Sequence, residues 1–474
     1  MNIFNYFRKK GINTLPSSFY AKITEWESWY VGNVKRFTFY RIYNGRGQYT
    51  RCKRHSLGMA KKLCEDMADL LLNERVTIVL DDDRTDSFVH QVLEKNHFDT
   101  LGNEYQERKA YMGTVAYVPY ITDMEVGALG EVTGGRIKIN YVTGKNIFPV
   151  TWENGKILEA VFAFPKTYCT KKYLHLQFHK IGEDGNYLIE NVVLLVTAGS
   201  TSGQELEEEE WRQVPVFADI PAQIRTGSRE PQFVIDKLNI VNNADSEDDE
   251  NPMGVSIFAN SIDTLRKMDT EYDSYANEFI LGRKRIFTAP EMMVDENGNK
   301  TFDENDTVFY SLPEDSLKGE KPIYEVNMEL RAEQHSKAIN DDLNYLSFKC
   351  GFGTEHYKFE KGTVTTATQV ISENSDLYRS VCKHEIILDS VLKEMIRIII
   401  RLGITLAEPL KEDAKITINF DDSIIVDKEA ERQSDRQDVA MGAMGIDEYR
   451  AKYYGETLEK ARANLPVQNT VMEE

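Results

Sequence analysis

The first clear periodicity lies in residues 55–74 (HSLGMAKKLCEDMADLLLNE), where apolar side chains recur every three or four positions. That spacing predicts an amphipathic helix with one buried stripe. The stripe comprises Leu57, Ala60, Leu63, Met67, Leu70 and Leu71. Two further helical stretches follow near 85–97 and 102–112, and we predict that all three form one packed helical layer.

From residue 114 to residue 217 the period shortens to two, which is typical of half-buried strands. Alternating runs occupy residues 136–143, 156–165 and 172–182, with turn-forming residues between them. This stretch predicts an antiparallel β-rich block. The acidic run at residues 205–211 (ELEEEEW) ends the block, and its like charges favour a solvated loop or turn.

A second acidic run at residues 245–251 is followed by proline and glycine, a composition typical of a linker or hinge. The helical period then returns. Ser261 can cap a helix that extends to Leu281, and Gly282 is well placed to end it.

Residues 283–326 again predict short strands and turns, so a small β-rich excursion separates this helix from the next, at about 328–349. A longer helix is predicted over residues 367–402, where Gly403 would stop it. At 1.5 Å per residue, that helix would be roughly 50 Å long.

The chain closes with a predicted strand at residues 415–421 and polar helices near 428–441, 446–454 and 456–464. The tail from Pro466 has the composition of a disordered terminus. Because helices and antiparallel strands follow one another in separate blocks, the pattern predicts an α+β fold.

Composition narrows the classes of function. The 474 residues are 41% hydrophobic, enough for a sizeable core, and the formal net charge of -20 disfavours a sequence-reading DNA binder. Five cysteines without CxxC spacing indicate free thiols in a reducing cytoplasm. The most apolar run, residues 395–402, is interrupted by arginines and too short to span a membrane, so no membrane association is predicted.

Sequence motifs of catalysis are weak. Residues 130–136 (GEVTGGR) lack the lysine and hydroxyl of a phosphate-binding loop, and residues 199–203 (GSTSG) place a threonine where a nucleophile elbow needs serine. His175 and His179 share one strand face without a third ligand, which favours paired surface residues over a metal site. His384 and Glu385 lack the second histidine of a zinc protease.

Two carboxylate clusters, Asp81–Asp83 and Asp421–Asp422, leave a metal-dependent nuclease as an alternative, since two-metal nucleases use such residues. A loop between a strand and a helix explains Asp81–Asp83 equally well. We therefore predict no catalytic residue, no metal and no cofactor, and a chain that is not an enzyme.

The order of parts, a helix, a small β insertion, a returning helix and then a long helix, resembles portal proteins of tailed double-stranded DNA phages. Several segments of the sequence are similar to those of the group common in phages of Gram-positive hosts. These segments are residues 251–266 (NPMGVSIFANSIDTLR), 272–287 (YDSYANEFILGRKRIF), 366–385 (TATQVISENSDLYRSVCKHE), 416–425 (ITINFDDSII) and 441–456 (MGAMGIDEYRAKYYGE).

The resemblance implies a portal-type division of the chain into a helical and β wing, a two-helix stem, a β-rich clip, a long wing helix and a short helical crown. The implied boundaries are 1–250 for the wing, 251–282 for the first stem helix, 283–327 for the clip, 328–350 for the second stem helix, 351–366 for the tunnel loop, 367–427 for the long wing helix and strand, and 428–474 for the crown and tail.

Specific residues follow from that mapping. The stem residues implied to line the channel are Asp263, Asp269, Glu271, Asp273, Glu278 and Glu333. Acidic walls would repel phosphates and keep DNA sliding, although ordinary solvated helix faces explain such charges as well. The tunnel-loop residues are Gly351, Gly353, Glu355, Lys358, Lys361 and Gly362, and the clip residues implied to bind a partner are Arg283, Lys284 and Arg285.

The resemblance also implies the setting. About twelve subunits would form a ring at a capsid vertex of the virion, assembled in the host cytoplasm. Double-stranded DNA would pass through it without sequence specificity during packaging and ejection. The implied protein partners are the packaging ATPase (terminase), the major capsid and scaffolding proteins, and a head–tail adaptor. A head–tail adaptor ring is itself the alternative reading among virion components, but that class lacks the helix–clip–helix insertion.

Overall fold

The computed structural model describes residues 3–43, 48–73, 76–126, 132–197, 203–245, 250–282, 285–288, 309–311, 323–327, 329–354, 356–357, 367–420, 428–454, 461–462 and 464–465. Its helices are α1 (Ile3–Lys10), α2 (Ser17–Val31), α3 (Met59–Leu71), α4 (Asp83–Lys95), α5 (Phe98–Met112), α6 (Glu208–Trp211), α7 (Ile262–Leu281), α8 (Ala332–Lys349), α9 (Ala367–Thr405), α10 (Lys428–Ala440) and α11 (Ile446–Tyr454).

The described strands form small, mainly antiparallel sheets. They are β1 (Phe39–Tyr43), β2 (Tyr49–Lys53), β3 (Thr77–Leu80), β4 (Thr114–Val126), β5 (Val132–Thr143), β6 (Ile147–Glu153), β7 (Lys156–Tyr168), β8 (Lys171–Ile181), β9 (Tyr187–Val196), β10 (Gln204–Leu206), β11 (Gln223–Arg225), β12 (Val234–Lys237), β13 (Arg285–Thr288), β14 (Phe309–Ser311), β15 (Ile323–Val326) and β16 (Ile416–Asn419).

The predicted β block is confirmed as two sheets. The larger has the strand order β10-β9-β8-β7-β6, with β11 also on β9, and the smaller has the order β12-β4-β5. All of these neighbours are antiparallel. Mixed helix and antiparallel sheet place the fold in the predicted α+β class.

Helix α9 runs through the centre of the molecule. Leu388, Leu392, Met395, Ile396 and Ile399 are all fully buried, and α9 packs against β4, β12, α3 and α4. Each such side chain contributes about 1.5–3 kcal/mol on burial. The apolar run that the sequence showed at residues 395–402 is therefore core, and no helix in the described part of the chain is long and apolar enough to cross a membrane.

One predicted helix end is wrong, and one predicted N-cap residue has the right position but makes no side-chain cap. Gly403 does not end α9, which continues to Thr405. A Cβ at Gly403 would lie 2.7 Å from Phe88 Cε1 and 2.5 Å from Leu410 Cδ1, so close packing, rather than termination, requires this glycine. Ser261 precedes α7, but its side chain makes no capping hydrogen bond and instead lies 3.7 Å from Cys350 Sγ.

The middle of the run predicted as a linker, residues 246–249, lies outside the described residues, but the residues that follow the run are closely packed. Residues 251–258 are all buried, with Met253, Val255 and Phe258 in the main core. Gly254 N donates to Thr114 Oγ1 at 2.8 Å, which fixes the segment against the start of β4. Residues 251–258 are therefore a packed connection into α7.

The acidic run at residues 205–211 forms regular structure rather than the predicted loop or turn, although most of its glutamates are solvated as predicted. It ends β10 and forms the short helix α6, in which Glu207 and Glu210 make a reciprocal capping box. Trp211 is buried in a small satellite cluster with Tyr173, Val193 and Phe217. The run is therefore an anchor on one edge of the large sheet rather than a free loop.

Candidate functional site

Helices α7 and α8 form an antiparallel pair. Lys349 at the end of α8 reaches Asn260 O at 2.5 Å, Lys267 reaches Asp342, and Glu278 near the end of α7 meets Arg331 before α8. The stripe between them is apolar and buried. It comprises Leu265, Met268, Ile339, Leu343 and Leu346. The described part of the chain between the two helices holds the small sheet in which β13 pairs with β14 and β15.

Two of the predicted acidic residues on α7 accept hydrogen bonds from the N-terminal segment. Asp273 is buried and accepts hydrogen bonds from Tyr40 Oη at 2.8 Å and from His55 N at 3.0 Å. Asp269 accepts from Leu57 N at 3.0 Å, and burial raises the pKa of its carboxyl. In a single chain these two carboxylates fix the N-terminal segment to α7 and are largely shielded from solvent.

Two others are paired with cations. Lys267 Nζ lies 3.5 Å from Glu271 Oε1 and 2.7 Å from Asp342 Oδ1, and burial, with the neighbouring Asp342 charge, raises the pKa of Glu271. Arg331 binds Glu278 in a bidentate pair: Nε donates to Oε1 at 3.0 Å and Nη2 donates to Oε2 at 2.8 Å. That hydrogen bonding lowers the pKa of Glu278 to about 2.

The remaining two predicted residues, Asp263 and Glu333, are exposed. Neither makes an ion pair with another described residue. Of the six acidic residues predicted to line a channel, these two alone present a free carboxylate to solvent in the described chain. The prediction of a channel lining stays a prediction for all six.

The helix pair also exposes large apolar side chains, which sequence reasoning missed. Phe279, Ile280 and Leu330 lie at the end of the pair next to the insertion, and Tyr345 and Phe348 lie towards the other end. We call these five residues together the apolar face of the helix pair. Phe348 is 59% exposed and Tyr345 is 54% exposed. The signal was present in the sequence, because these two residues are three apart on α8 and fall outside its buried stripe.

Predicted loop and clip residues are only partly described. Gly351 and Gly353 follow α8 with φ of 84° and 78°, a region that favours glycine. The side chain of Ser380 lies where a Cβ on Gly351 would be. Arg285 is half-buried at the start of β13. The other predicted residues, Arg283, Lys284, Glu355, Lys358, Lys361 and Gly362, lie outside the described residues.

The core contains a buried ionic network that sequence reasoning also missed. Lys109 Nζ donates to Asp236 Oδ1 at 2.9 Å, and Gln106 Nε2 donates to Asp236 Oδ2 at 2.7 Å. Lys109 and Asp236 are at most 1% exposed, and burial lowers the pKa of the lysine. The network ties α5 to β12 beneath α9. No sequence signal identifies a pair whose partners lie 127 positions apart.

The two strand histidines were predicted as surface residues, which is wrong. His175 is 7% exposed and His179 is 1% exposed, and both lie in a buried polar row on β8 and β9. His175 Nε2 lies 2.8 Å from Asn191 Oδ1, and His179 Nε2 lies 3.1 Å from Gln177 Oε1. Burial lowers the pKa of His175 to about 4 and of His179 to about 3.

The first carboxylate cluster has structural partners. Asp81 accepts from Lys411 Nζ and Lys415 N, each at 2.8 Å, and Asp82 caps α4 through Thr85 N at 2.9 Å. The predicted loop between a strand and a helix is confirmed. Within the residues described, no group of three or more His, Cys, Asp or Glu side chains could hold a metal ion. Asp421–Asp422 lies outside that part of the chain.

Comparison with known proteins identifies the family of this chain. The family model described as "Phage portal protein, SPP1 Gp6-like" matches residues 16–452, which covers the central α7–α8 pair, its insertion and α9. No curated protein matches the chain. Because the family model spans most of the sequence, this chain belongs to the SPP1 Gp6-like family of phage portal proteins.

Proposed function

We propose that this chain is the subunit of a twelve-membered ring whose central channel passes double-stranded DNA into the capsid during packaging and out of it during ejection. The ring would sit at one vertex of the virion capsid, at the head–tail connection. Its role would be structural rather than catalytic.

The observation that carries this proposal is the antiparallel α7–α8 pair. The pair is interrupted by a small sheet and followed by the long core helix α9, within a chain of the portal family. One side of the pair is fastened to its own subunit through Asp269 and Asp273. Its apolar face is uncovered in a single chain, as expected for a surface that packs against neighbouring subunits.

We further propose the division of labour that the sequence implied. Residues 1–250 and 367–427 form the wing, 251–282 and 328–350 the stem, 283–327 the clip and 428–474 the crown. The clip, with Arg283, Lys284 and Arg285, would meet the packaging ATPase first and the head–tail adaptor later. The wing would meet the major capsid and scaffolding proteins.

The proposed channel wall is acidic but not uniformly so. Asp263 and Glu333 are open to solvent, whereas Glu271 and Glu278 are partly neutralised by Lys267 and Arg331. Free carboxylates repel phosphate and raise the energy of every DNA-bound state alike. DNA would therefore slide past such a wall without being held at any one position.

Residues 351–366 would form the loop that reaches DNA inside this channel and moves during packaging. Gly351 and Gly353 supply its left-handed backbone, and Lys358 and Lys361 would contact phosphates. Replacing both lysines with alanine should change the amount of DNA packaged or retained in particles. Packaging and retention equal to wild type would remove the loop from the mechanism.

Electron microscopy and light scattering of the purified protein test the ring directly. We expect rings with a central hole, of a mass near twelve subunits. Phe348→Glu places a charge in the apolar face and should give folded monomers, whereas Ile181→Glu at the exposed end of β8 should leave rings intact. Stable wild-type monomers at high concentration would refute the ring. Equal dissociation by both variants would refute the assignment of the apolar face.

A further inference from the structure

The β1–β2 hairpin is a small sheet of its own, fastened to α7 along its inner side. Five residue pairs join the strands, from Phe39 opposite Lys53 to Tyr43 opposite Tyr49. On the inner side Tyr40 Oη donates to Asp273, and Arg54 Nη1 donates to Thr270 Oγ1 at 3.3 Å. The hairpin is thus held at its base.

The outer side of the hairpin alternates aromatic and cationic side chains. Because paired residues of a hairpin share a face, three rungs lie in a row. The rungs are Phe39 with Lys53, Arg41 with Arg51, and Tyr43 with Tyr49, and we call these six residues the basic hairpin face. All six are exposed. The Arg51 guanidinium lies 3.9 Å from the centre of the Phe39 ring, and the two tyrosine rings meet edge to face at 5.2 Å.

The charge of this segment contrasts with the rest of the chain. Residues 34–55 contain seven Lys and Arg and no Asp or Glu, in a protein of net charge -20. Arg41, Arg51 and Lys53 make no ion pair with any other described residue. Arg41 and Arg51 stand directly opposite each other, an arrangement of like charges that destabilises a hairpin. Ion pairing among the described residues therefore does not explain the charges of Arg41, Arg51 and Lys53.

Protection of an edge is the simpler explanation, since lysines on edge strands discourage aggregation. That explanation accounts for the cations but not for Phe39, Tyr43 and Tyr49, whose exposed rings would promote association instead. Cations clustered on one face of an otherwise acidic chain are the electrostatic signature of a nucleic-acid site.

We propose that the basic hairpin face holds the phosphate backbone of duplex DNA. Five residues per strand give a ribbon about 17 Å long, and a two-stranded ribbon fits the major groove of B-DNA, about 12 Å wide. Arg41 and Arg51 supply planar donors that pair with phosphate oxygens in a bidentate manner. This site goes beyond the proposed channel, because it attracts DNA, whereas an acidic wall repels it, and because it requires no ring.

Binding of a labelled 30-base-pair duplex to the free protein, followed by fluorescence anisotropy across a salt series, tests the proposal. At physiological salt we expect a dissociation constant on the order of 10⁻⁴ to 10⁻⁶ M, with tighter binding at lower salt. The triple variant Arg41→Gln, Arg51→Gln, Lys53→Gln should bind about tenfold more weakly or worse. Its plot of log affinity against log salt should be less steep by about two to three units.

The matched control removes the same charge elsewhere, as Lys171→Gln, Lys172→Gln, Arg229→Gln, all at exposed positions. It should bind within about twofold of wild type, with both variants shown to be folded by circular dichroism and by their melting temperatures. Equal weakening by the control would reduce the effect to bulk charge and overturn the site. So would the absence of wild-type binding at low salt.

Two further outcomes overturn the choice of partner. A single strand of the same length that competes better than the duplex would assign the face to unpaired DNA. A hairpin variant that loses ring mass in light scattering but binds duplex like wild type would make the face a contact between subunits. Ring formation itself is scored separately by microscopy, so a protein that forms rings without hairpin-dependent DNA binding refutes this inference alone.

Discussion

The core beneath α9 and the α7–α8 pair carry charge in different ways. In the core, Lys109 and Asp236 are completely buried and satisfy each other, and His175 and His179 are buried in their neutral form. On the helix pair, Lys267 and Arg331 are 60% and 67% exposed and meet carboxylates at the edge of solvent. Water screens the second set and does not reach the first.

The difference indicates which part of the subunit has all its packing and charge partners within a single chain. A buried ionic group must find its partners within the folded chain, since an unpaired buried charge is strongly unfavourable. The core meets that condition. The helix pair instead leaves Phe348 and Tyr345 uncovered beside exposed charges, a surface that a neighbouring subunit would complete.

Removing one partner of the buried pair should have the largest effect on stability. Asp236→Leu leaves the Lys109 ammonium buried without a counter-ion, and we expect a loss of about 3–5 kcal/mol in the free energy of unfolding. Chemical denaturation at neutral pH measures it.

The control is the double variant Lys109→Met, Asp236→Leu, which replaces the ion pair by apolar side chains of similar volume. It should recover most of the loss, because replacing a whole buried pair is often close to neutral. If the single variant loses less than about 1 kcal/mol, water reaches the pair and the contrast with the helix pair disappears.

Much of the architecture around the helix pair was predictable. Helices α7, α8 and α9 are long and periodic, and the predicted bounds 328–349 and 367–402 lie within a few residues of the observed Ala332–Lys349 and Ala367–Thr405. Periodicity reports which side of an element is apolar, and long elements repeat that signal several times. Helices α1 and α2 and the β1–β2 hairpin were not predicted. Strands β1 and β2 are exposed on both sides over most of their length, so they carry no alternation of apolar and polar positions.

The partners of the polar residues could not be predicted. Strand β8 buries its more polar side, with His175, Gln177 and His179, because Phe217 and Phe233 pack against the two histidines. Likewise, the sequence shows Asp273 as one acid among several on α7, whereas its role follows from Tyr40, more than 200 positions away. Alternation identifies a face but not what lies on top of it.

Acid should weaken the core before it affects the helix pair. His175, His179 and His384 have folded-state pKa values of about 4, 3 and 3, lowered by burial from 6.5. Below pH 6.5 these histidines become protonated in the unfolded chain but stay neutral in the folded chain. The free energy of unfolding therefore falls as pH falls. Each histidine should remove about 2 kcal/mol from the free energy of unfolding between pH 7 and pH 5.

His179→Gln isolates one of these contributions. Its amide still donates to Gln177, and the variant should lose about 2 kcal/mol less than wild type between pH 7 and pH 5. His55→Gln, at an exposed position, should follow the wild-type curve. Identical acid curves for wild type and His179→Gln would mean that His179 protonates without unfolding, and the histidine would not belong to the closed core.

The smallest effect is expected on the helix pair itself. Lys267→Met removes the cation between Glu271 and Asp342, and we expect a loss of about 1 kcal/mol or less at pH 7, since the lysine is mostly exposed. Without Lys267 the pKa of Glu271 should rise further. A carboxyl with a raised folded-state pKa stabilises the fold at low pH and loses that contribution as pH rises.

The variant should therefore be closest to wild type near pH 5 and furthest from it near pH 8, the reverse of the core histidines. Asp342→Asn in the same background removes the like charge and should restore most of the loss at pH 8, which a double-mutant cycle measures. A loss at pH 8 as large as that of Asp236→Leu would place this cluster in a closed interior. The helix pair would then resemble the core, and its charges would no longer be free to face a channel.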